Sequence, residues 1–222
     1  MKRLNFLTIF LIIFTSAGLS QSKTYVTAGG EALFSFASIN DNGSDQSSTL
    51  RWAPVFNFQS VINRDLSRNF GLFGGISVRN VGYIYNNYTD PSTENVYKKK
   101  FRSYNLGLPV GIKLGDLDGM LLYGGYEIEV PFLYKEKTFE SGDKIKKITG
   151  WFSSREEMFQ HGFFVGVEFP YGFNIKFKYY LSEFHNRNYV DSGGNKPYEG
   201  LKSNIFYLSI GSYLFKNYDF GK

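Results

Sequence analysis

The sequence predicts an all-β domain: a closed eight-stranded antiparallel transmembrane β-barrel with up-and-down meander connections. Three observations lead there. Apolar and polar residues alternate with a period of two along segments whose second face carries lysine and glutamate. Aromatic residues reach 19% while mean hydropathy stays at -0.26, so many rings must face something apolar in a chain without long apolar spans. Long polar connections alternate with short turns, as they do when one end of a barrel is tight and the other carries surface loops.

The first 20 residues read as an export signal. Lys2 and Arg3 precede an apolar run over residues 6–14, and Thr15, Ser16, Ala17 and Gly18 then supply small residues before a cleavage point expected after Ser20, leaving Gln21 first. The apolar run is far shorter than the roughly 20 residues that a spanning helix needs. Residues 21–222 are assigned to one barrel domain, since nothing along them resembles a linker. The absence of cysteine excludes disulfides, thiolate chemistry and a lipidated cysteine anchor, so attachment to a membrane falls to the fold.

Strands are expected at 25–37, 52–62, 70–85, 105–114, 121–133, 159–169, 173–181 and 204–215. The clearest is 105–114, where Leu106, Leu108, Val110, Ile112 and Leu114 alternate with Asn105, Gly107, Pro109, Gly111 and Lys113. In 173–181, Lys176 and Lys178 share the face opposite Phe173, Ile175 and Phe177. Long connections fall at 38–50, 86–100, 134–158 and 182–203, and short turns at 63–69, 115–120 and 170–172. Pro54, Pro109 and Pro131 lie within expected strands, where each removes a ladder donor and calls for a bulge or a strand end.

If the oily face meets lipid, the inward face carries Glu31, Glu127, Glu129 and Glu168 with Arg79, Lys113, Lys176 and Lys178, beside Asn57, Gln59 and Ser77. A barrel of this size encloses little more than its own side chains, so these charges should pair into a network that leaves no general diffusion pore. Tyr83, Tyr85, Trp52, Tyr104, Tyr171 and Tyr213 lie near strand ends and suit an interfacial aromatic belt.

The stretch Tyr104-Asn105-Leu106-Gly107-Leu108-Pro109-Val110-Gly111-Ile112-Lys113, then Tyr123-Gly124-Gly125-Tyr126-Glu127, and the terminal strand over residues 208–215 resemble the outer-membrane β-barrel family common in Bacteroidetes, the porin-like group that includes PorT-type proteins. The resemblance implies export, an outer-membrane location and a barrel. A place in a secretion machine is open on the resemblance alone, and nothing else in the residues points to one. The matching motifs are architectural and carry no chemistry.

Little else points to chemistry. His161 has Ser153, Ser154 and Glu183 as conceivable partners for a lipid A-modifying site, but it shares its parity with Phe163 and Val165 and is expected at the lipid or headgroup level; His185 has less around it. The run Asn40-Asp41-Asn42-Gly43-Ser44-Asp45 lacks the spacing and distal Glu of a calcium loop and reads as a polar turn. No phosphate loop, dinucleotide fingerprint or metal-ligand cluster occurs, so the reading is non-enzymatic, with no cofactor and no metal. Lys98, Lys99, Lys100 and Arg102, with Lys135 and Lys137, make two outer connections basic and able to contact lipopolysaccharide phosphates; a protein partner in the cell envelope is also expected. Rings are not interleaved with arginines on one face, which argues against nucleic acid. A soluble periplasmic barrel of the lipocalin kind is the competing architecture, and it requires the oily faces to point inward.

Overall fold

Alternation along the chain becomes eleven strand segments in the computed structural model, which describes residues 22–90 and 93–217. In chain order they are β1 (Lys23–Asp41), β2 (Ser44–Ser47), β3 (Arg51–Ala53), β4 (Phe58–Asp65), β5 (Phe70–Thr89), β6 (Val96–Gly115), β7 (Leu121–Glu140), β8 (Asp143–Trp151), β9 (Gln160–Glu168), β10 (Phe173–Tyr180) and β11 (Leu201–Asn217). The expected export signal lies outside the described residues.

Neighbouring strands pair antiparallel in the ring β1-β4-β5-β6-β7-β9-β10-β11, and β11 closes it on β1 from Val26 opposite Asn217 to Asp41 opposite Leu201. That makes a closed barrel of eight. β3 continues the row of β4 along β1, while β2 and β8 fold back as hairpins on β1 and β7. Closure leaves no open edge, which a lipid environment demands because nothing there can bond a free backbone group.

Parity decides which face is which. On β6 the even residues Leu106 to Leu114 point outward and the odd residues point inward; Leu108 is 59% exposed, whereas Glu127 opposite Pro109 is 0% exposed. Ile62 on β4, Ile76 on β5, Ile128 on β7, Phe163 and Val165 on β9, Phe177 on β10 and Leu208 and Ile210 on β11 extend the outward apolar belt around the ring. The oily face is therefore outside and the charged face inside, the reverse of a lipocalin-like barrel.

Several connections expected as loops are strand. β5, β6 and β7 each run 20 residues, about twice the 9–11 that cross a bilayer, so 86–89, 96–100 and much of 134–158 continue the barrel wall as strand. Across the ring, β9 and β10 have only nine and eight residues. The irregular connections 152–159 and 181–200 begin on that low side and fold inward. Tyr83 and Tyr85, expected in an interfacial belt, are instead buried in the upper lumen with Phe101, Tyr134, Tyr180, Phe184, Tyr198 and Tyr207.

The expected strand 52–62 is also interrupted. Pro54 has no N–H to give, and residues 54–57 leave the ladder, with Phe56 at φ 63. Side chains close the resulting seam. Arg51 Nη1 donates to Asn80 O at 3.0 Å, the Asn80 amide donates to Asn57 Oδ1 at 2.8 Å, and Asn57 Nδ2 donates to Ala53 O at 2.8 Å. Asn57, expected to line the lumen, thus serves the wall. Placing a cation in the outward belt should be costly: Val110→Arg is expected to destabilise the folded barrel by about 2–4 kcal/mol, read as a lower denaturant midpoint for unfolding in lipid.

Candidate functional site

Two groups of side chains stand out, one filling the lumen and one on the outer wall. In the lumen, Glu31 receives Arg79, Lys176 Nζ at 2.9 Å and the Ser209 hydroxyl at 2.5 Å. Glu127 receives Lys178 Nζ at 2.6 Å, Arg79 Nη2 at 3.4 Å and the Ser77 hydroxyl. Glu129 binds the same lysine at 2.5 Å and accepts from Tyr180 at 2.8 Å and Asn105 Nδ2 at 2.6 Å. Gln59 accepts from Arg79 Nη2 at 2.9 Å. Three acids thus face three bases, all buried. Gly107 makes room for this layer: a Cβ there would collide with Ser77 Oγ and come within 2.8 Å of Glu127 Oε1.

The other two residues expected in the network lie apart from it. Lys113 sits toward the short-turn end, 2.6 Å from Asp65 and 2.7 Å from the Tyr25 hydroxyl. Asp65, expected in the turn 63–69, is the last residue of β4. Glu168 is near the same end, makes no ion pair among the described residues and meets the Tyr213 hydroxyl.

A second buried pair lies higher. Lys99 belongs to a run expected to face outward from a loop, but strand β6 continues through it, and its odd position turns it into the lumen, 2.6 Å from Glu136. Tyr134 and Tyr198 donate to the other oxygen of Glu136 at 2.8 and 2.6 Å. Burial opposes ionisation of Glu136, yet the Lys99 ammonium and these hydroxyls outweigh it and hold the carboxyl below its ordinary value.

The remaining basic residues line up on the outer wall. Register across β6, β7 and β8 sets Arg102 opposite Lys135 and Lys135 opposite Thr149; one step further out, Lys100 faces Lys137 and Lys137 faces Lys147. Lys98 and Lys144 both lie opposite Phe139. Like charges directly opposite repel, and none of these lysines or Arg102 makes an ion pair among the described residues. Partial burial and the cations Arg102, Lys144, Lys147 and Lys100 together lower the Lys137 ammonium. Just below lies an aromatic row. Tyr104 packs against Phe56 and Phe132 and accepts from Arg102 at 3.2 Å, and Trp151 stacks on Phe132 with centroids 6.0 Å apart. Below that, the outward residues are Leu106 and Val130.

His161 does not assemble a hydrolytic relay. Its Nδ1 lies 2.5 Å from the Tyr126 hydroxyl, and Ser182 Oγ accepts from its backbone amide at 3.0 Å. Neither Ser153 nor Ser154 bonds to its ring, and Glu183 lies 3.9 Å from Arg187. His185, given little weight from sequence, is wholly buried with Nε2 2.9 Å from the Tyr83 hydroxyl. No set of three or more metal-ligating side chains gathers among the described residues.

The closed ring, outward apolar belt and charged lumen define a transmembrane β-barrel of the outer-membrane type. No protein-family model matches the sequence, and no curated protein matches it. Solved structures do match. Ail, the attachment invasion locus protein of Yersinia pestis, in complex with the heparin analogue sucrose octasulfate, shares 13% identity over 89% of this chain and 99% of its own, with a TM-score of 0.40. Neisserial surface protein A shares 12% identity over 90% and 99%, with a TM-score of 0.37. OprG of Pseudomonas aeruginosa shares 13% over 87% and 95%, with a TM-score of 0.36.

Removing one partner from the lumen network strands a buried charge, so Lys178→Met should destabilise the barrel by about 3–5 kcal/mol. The double change Lys178→Met, Glu129→Gln removes one charge of each sign, leaves Glu31 and Glu127 to Arg79 and Lys176, and should recover part of that loss. Urea midpoints of the two variants check both statements.

Proposed function

We propose that the chain is a non-enzymatic outer-membrane barrel, exported by its N-terminal signal, closed to general diffusion by its lumen network, and held among lipopolysaccharide phosphates by the outward basic face of β6, β7 and β8. One observation carries the lipid assignment. On three adjacent strands the outward residues change in order, from Leu106 and Val130, through Tyr104, Phe132 and Trp151, to Arg102 and Lys135, and then to Lys100, Lys137 and Lys147. Apolar, aromatic and cationic rows in that sequence match the hydrocarbon, interface and phosphate layers of a bilayer leaflet. Cations set opposite one another with no acid between them favour a multivalent anion that neutralises the rows together.

On this reading the short turns and the described ends of β1 and β11, near Lys23 and Asn217, face the periplasm, and the tall hairpins face outward, where they offer a surface to a protein partner in the envelope. The PorT-type likeness of residues 104–113 belongs to the same reading. The buried network of Glu31, Arg79, Glu127, Glu129, Lys176 and Lys178 supports closure, since it occupies the lumen with paired side chains.

Binding of the purified folded barrel to lipid A, with its phosphates present or enzymatically removed, tests the assignment. Each basic residue near an anionic surface contributes about 1 kcal/mol, so the triple variant Lys100→Gln, Lys137→Gln, Lys147→Gln should bind phosphorylated lipid A on the order of 100-fold more weakly. The parent should likewise lose affinity for the dephosphorylated lipid. Equal binding in all combinations would overturn the phosphate role. Release of the native protein from membranes by carbonate, with no mobility shift on heating, would overturn the membrane assignment itself.

A further inference from the structure

The upper lumen is capped by two connections that pair with each other. The Asn186 amide donates to Arg155 O at 3.0 Å and the Glu157 amide donates to Phe184 O at 3.3 Å, on either side of a bridge between Glu156 and His185. This pairing carries Phe184, His185 and Tyr198 into the barrel. His185 stacks on Tyr198 at 4.3 Å and meets the ring of Phe101 edge-on at 4.5 Å.

Glu156 goes in with them. It is 3% exposed, and neither carboxyl oxygen has a hydrogen-bond partner. The polar side chain that bears on it is Ser103, whose hydroxyl already donates to Asn105 Oδ1 at 2.5 Å. A carboxylate at this place would find no donor, whereas a neutral carboxyl brings its own proton to offer the serine oxygen. An unpaired charge buried here would be costly; a neutral acid costs much less.

We propose that Glu156 is the proton-controlled latch of this cap: protonated, it stays in the lumen and keeps 152–159 and 181–200 down, and ionised, it moves to water and lifts both connections. The titratable and charged groups of the upper lumen and cap are Tyr83 on β5, Lys99 on β6, Glu129, Tyr134 and Glu136 on β7, Tyr180 on β10, and Arg155, His185 and Tyr198 of the cap. Each charged group among them already has a partner other than Glu156. Lys99 pairs with Glu136, Glu129 with Lys178, and Arg155 stacks on Tyr189 while donating to Tyr198. Lys99 and Lys178 are thus neutralised by other acids, and Arg155, which makes no ion pair among the described residues, turns its guanidinium to Tyr198 and Tyr189 and makes no hydrogen bond to Glu156.

Burial pushes Glu156 up to about 8 and His185 down to about 3, so both are neutral in the closed cap. In an open cap they return to ordinary values of 4.5 and 6.5. Closing therefore takes up a proton on Glu156 and gives one up from His185. Below pH 4.5 the histidine term favours opening, and between 4.5 and 6.5 the two terms cancel. From pH 6.5 to about 8 only the glutamate term remains, and the closed state weakens about tenfold per pH unit. Opening would bare the upper lumen without making a channel, because the layer of Glu127, Glu129 and Lys178 lies beneath.

Hydrogen exchange of 152–159 and 181–200 in the purified, heat-modifiable barrel tests the latch. Comparing wild type with Glu156→Gln at each pH cancels both intrinsic exchange and the His185 contribution. The ratio of cap opening, wild type over variant, should climb about tenfold per pH unit from about pH 5 to 7.5 and level off above about 8. A ratio that stays constant over that range overturns the proposal. Should the variant fail to fold, exchange of the same segments in wild type, referred to the β2 hairpin at equal pH, should be flat between about pH 4.5 and 6.5 and rise above that range; a profile with no rise above about 6.5 overturns it equally. Neither readout depends on lipopolysaccharide, so failure of the phosphate assignment leaves this one standing.

Discussion

Charge neutrality inside a narrow closed ring is the constraint on which the structure depends. Glu31, Glu127 and Glu129 face Arg79, Lys176 and Lys178 in a space that holds side chains and almost nothing else. These six residues come from β1, β5, β7 and β10, so the network ties together strands distant in sequence. It also fixes register. A slip of one residue in β7 would turn Glu127 and Glu129 into lipid and bring Ile128 and Val130 into the charged layer, a double penalty that no other pairing avoids.

Where the ladder cannot supply the bonds, side chains do. Pro54 interrupts the second barrel strand, and Arg51, Asn57 and Asn80 take over the donors and acceptors that the missing pairs would have used. Closure is thus kept across a local loss of regular pairing, and the displaced Phe56 covers Tyr104 on the outer wall. Polar residues that look like lumen lining by parity alone can belong to such a seam, as Asn57 does.

The membrane-crossing half of the fold was legible in sequence because lipid enforces an apolar residue at every second position, visible in 105–114 and 173–181. Above the lipid that enforcement ends. The outward residues of β6 become Lys98, Lys100 and Arg102, hydropathy no longer alternates, and the strand reads as a loop although its backbone period continues. Lys99 was assigned to the wrong face for that reason. Counting parity upward from Leu106 through Tyr104 would have turned it inward. Parity along the alternating segments carries the inward charges of β1, β5, β7 and β10, but it does not reach Asp65, Glu136, Glu156 and His185. Asp65 and Glu136 fell in segments taken for connections, and Glu156 and His185 are positioned by two connections pairing with each other, a contact with no periodic trace.

The unequal strand lengths make the mouth of the barrel oblique. β5, β6 and β7 rise as a tall wall and β1 and β11 are nearly as long, while β9 and β10 stop low between β7 and β11. The cap springs from the low side and leans on the high one, like a pitched roof resting on a single gable. Anything approaching from the tall side meets a palisade of lysines first. From the low side, the cap stands within reach of molecules lying in the leaflet surface, so the barrel has a front and a back even though its ring is closed.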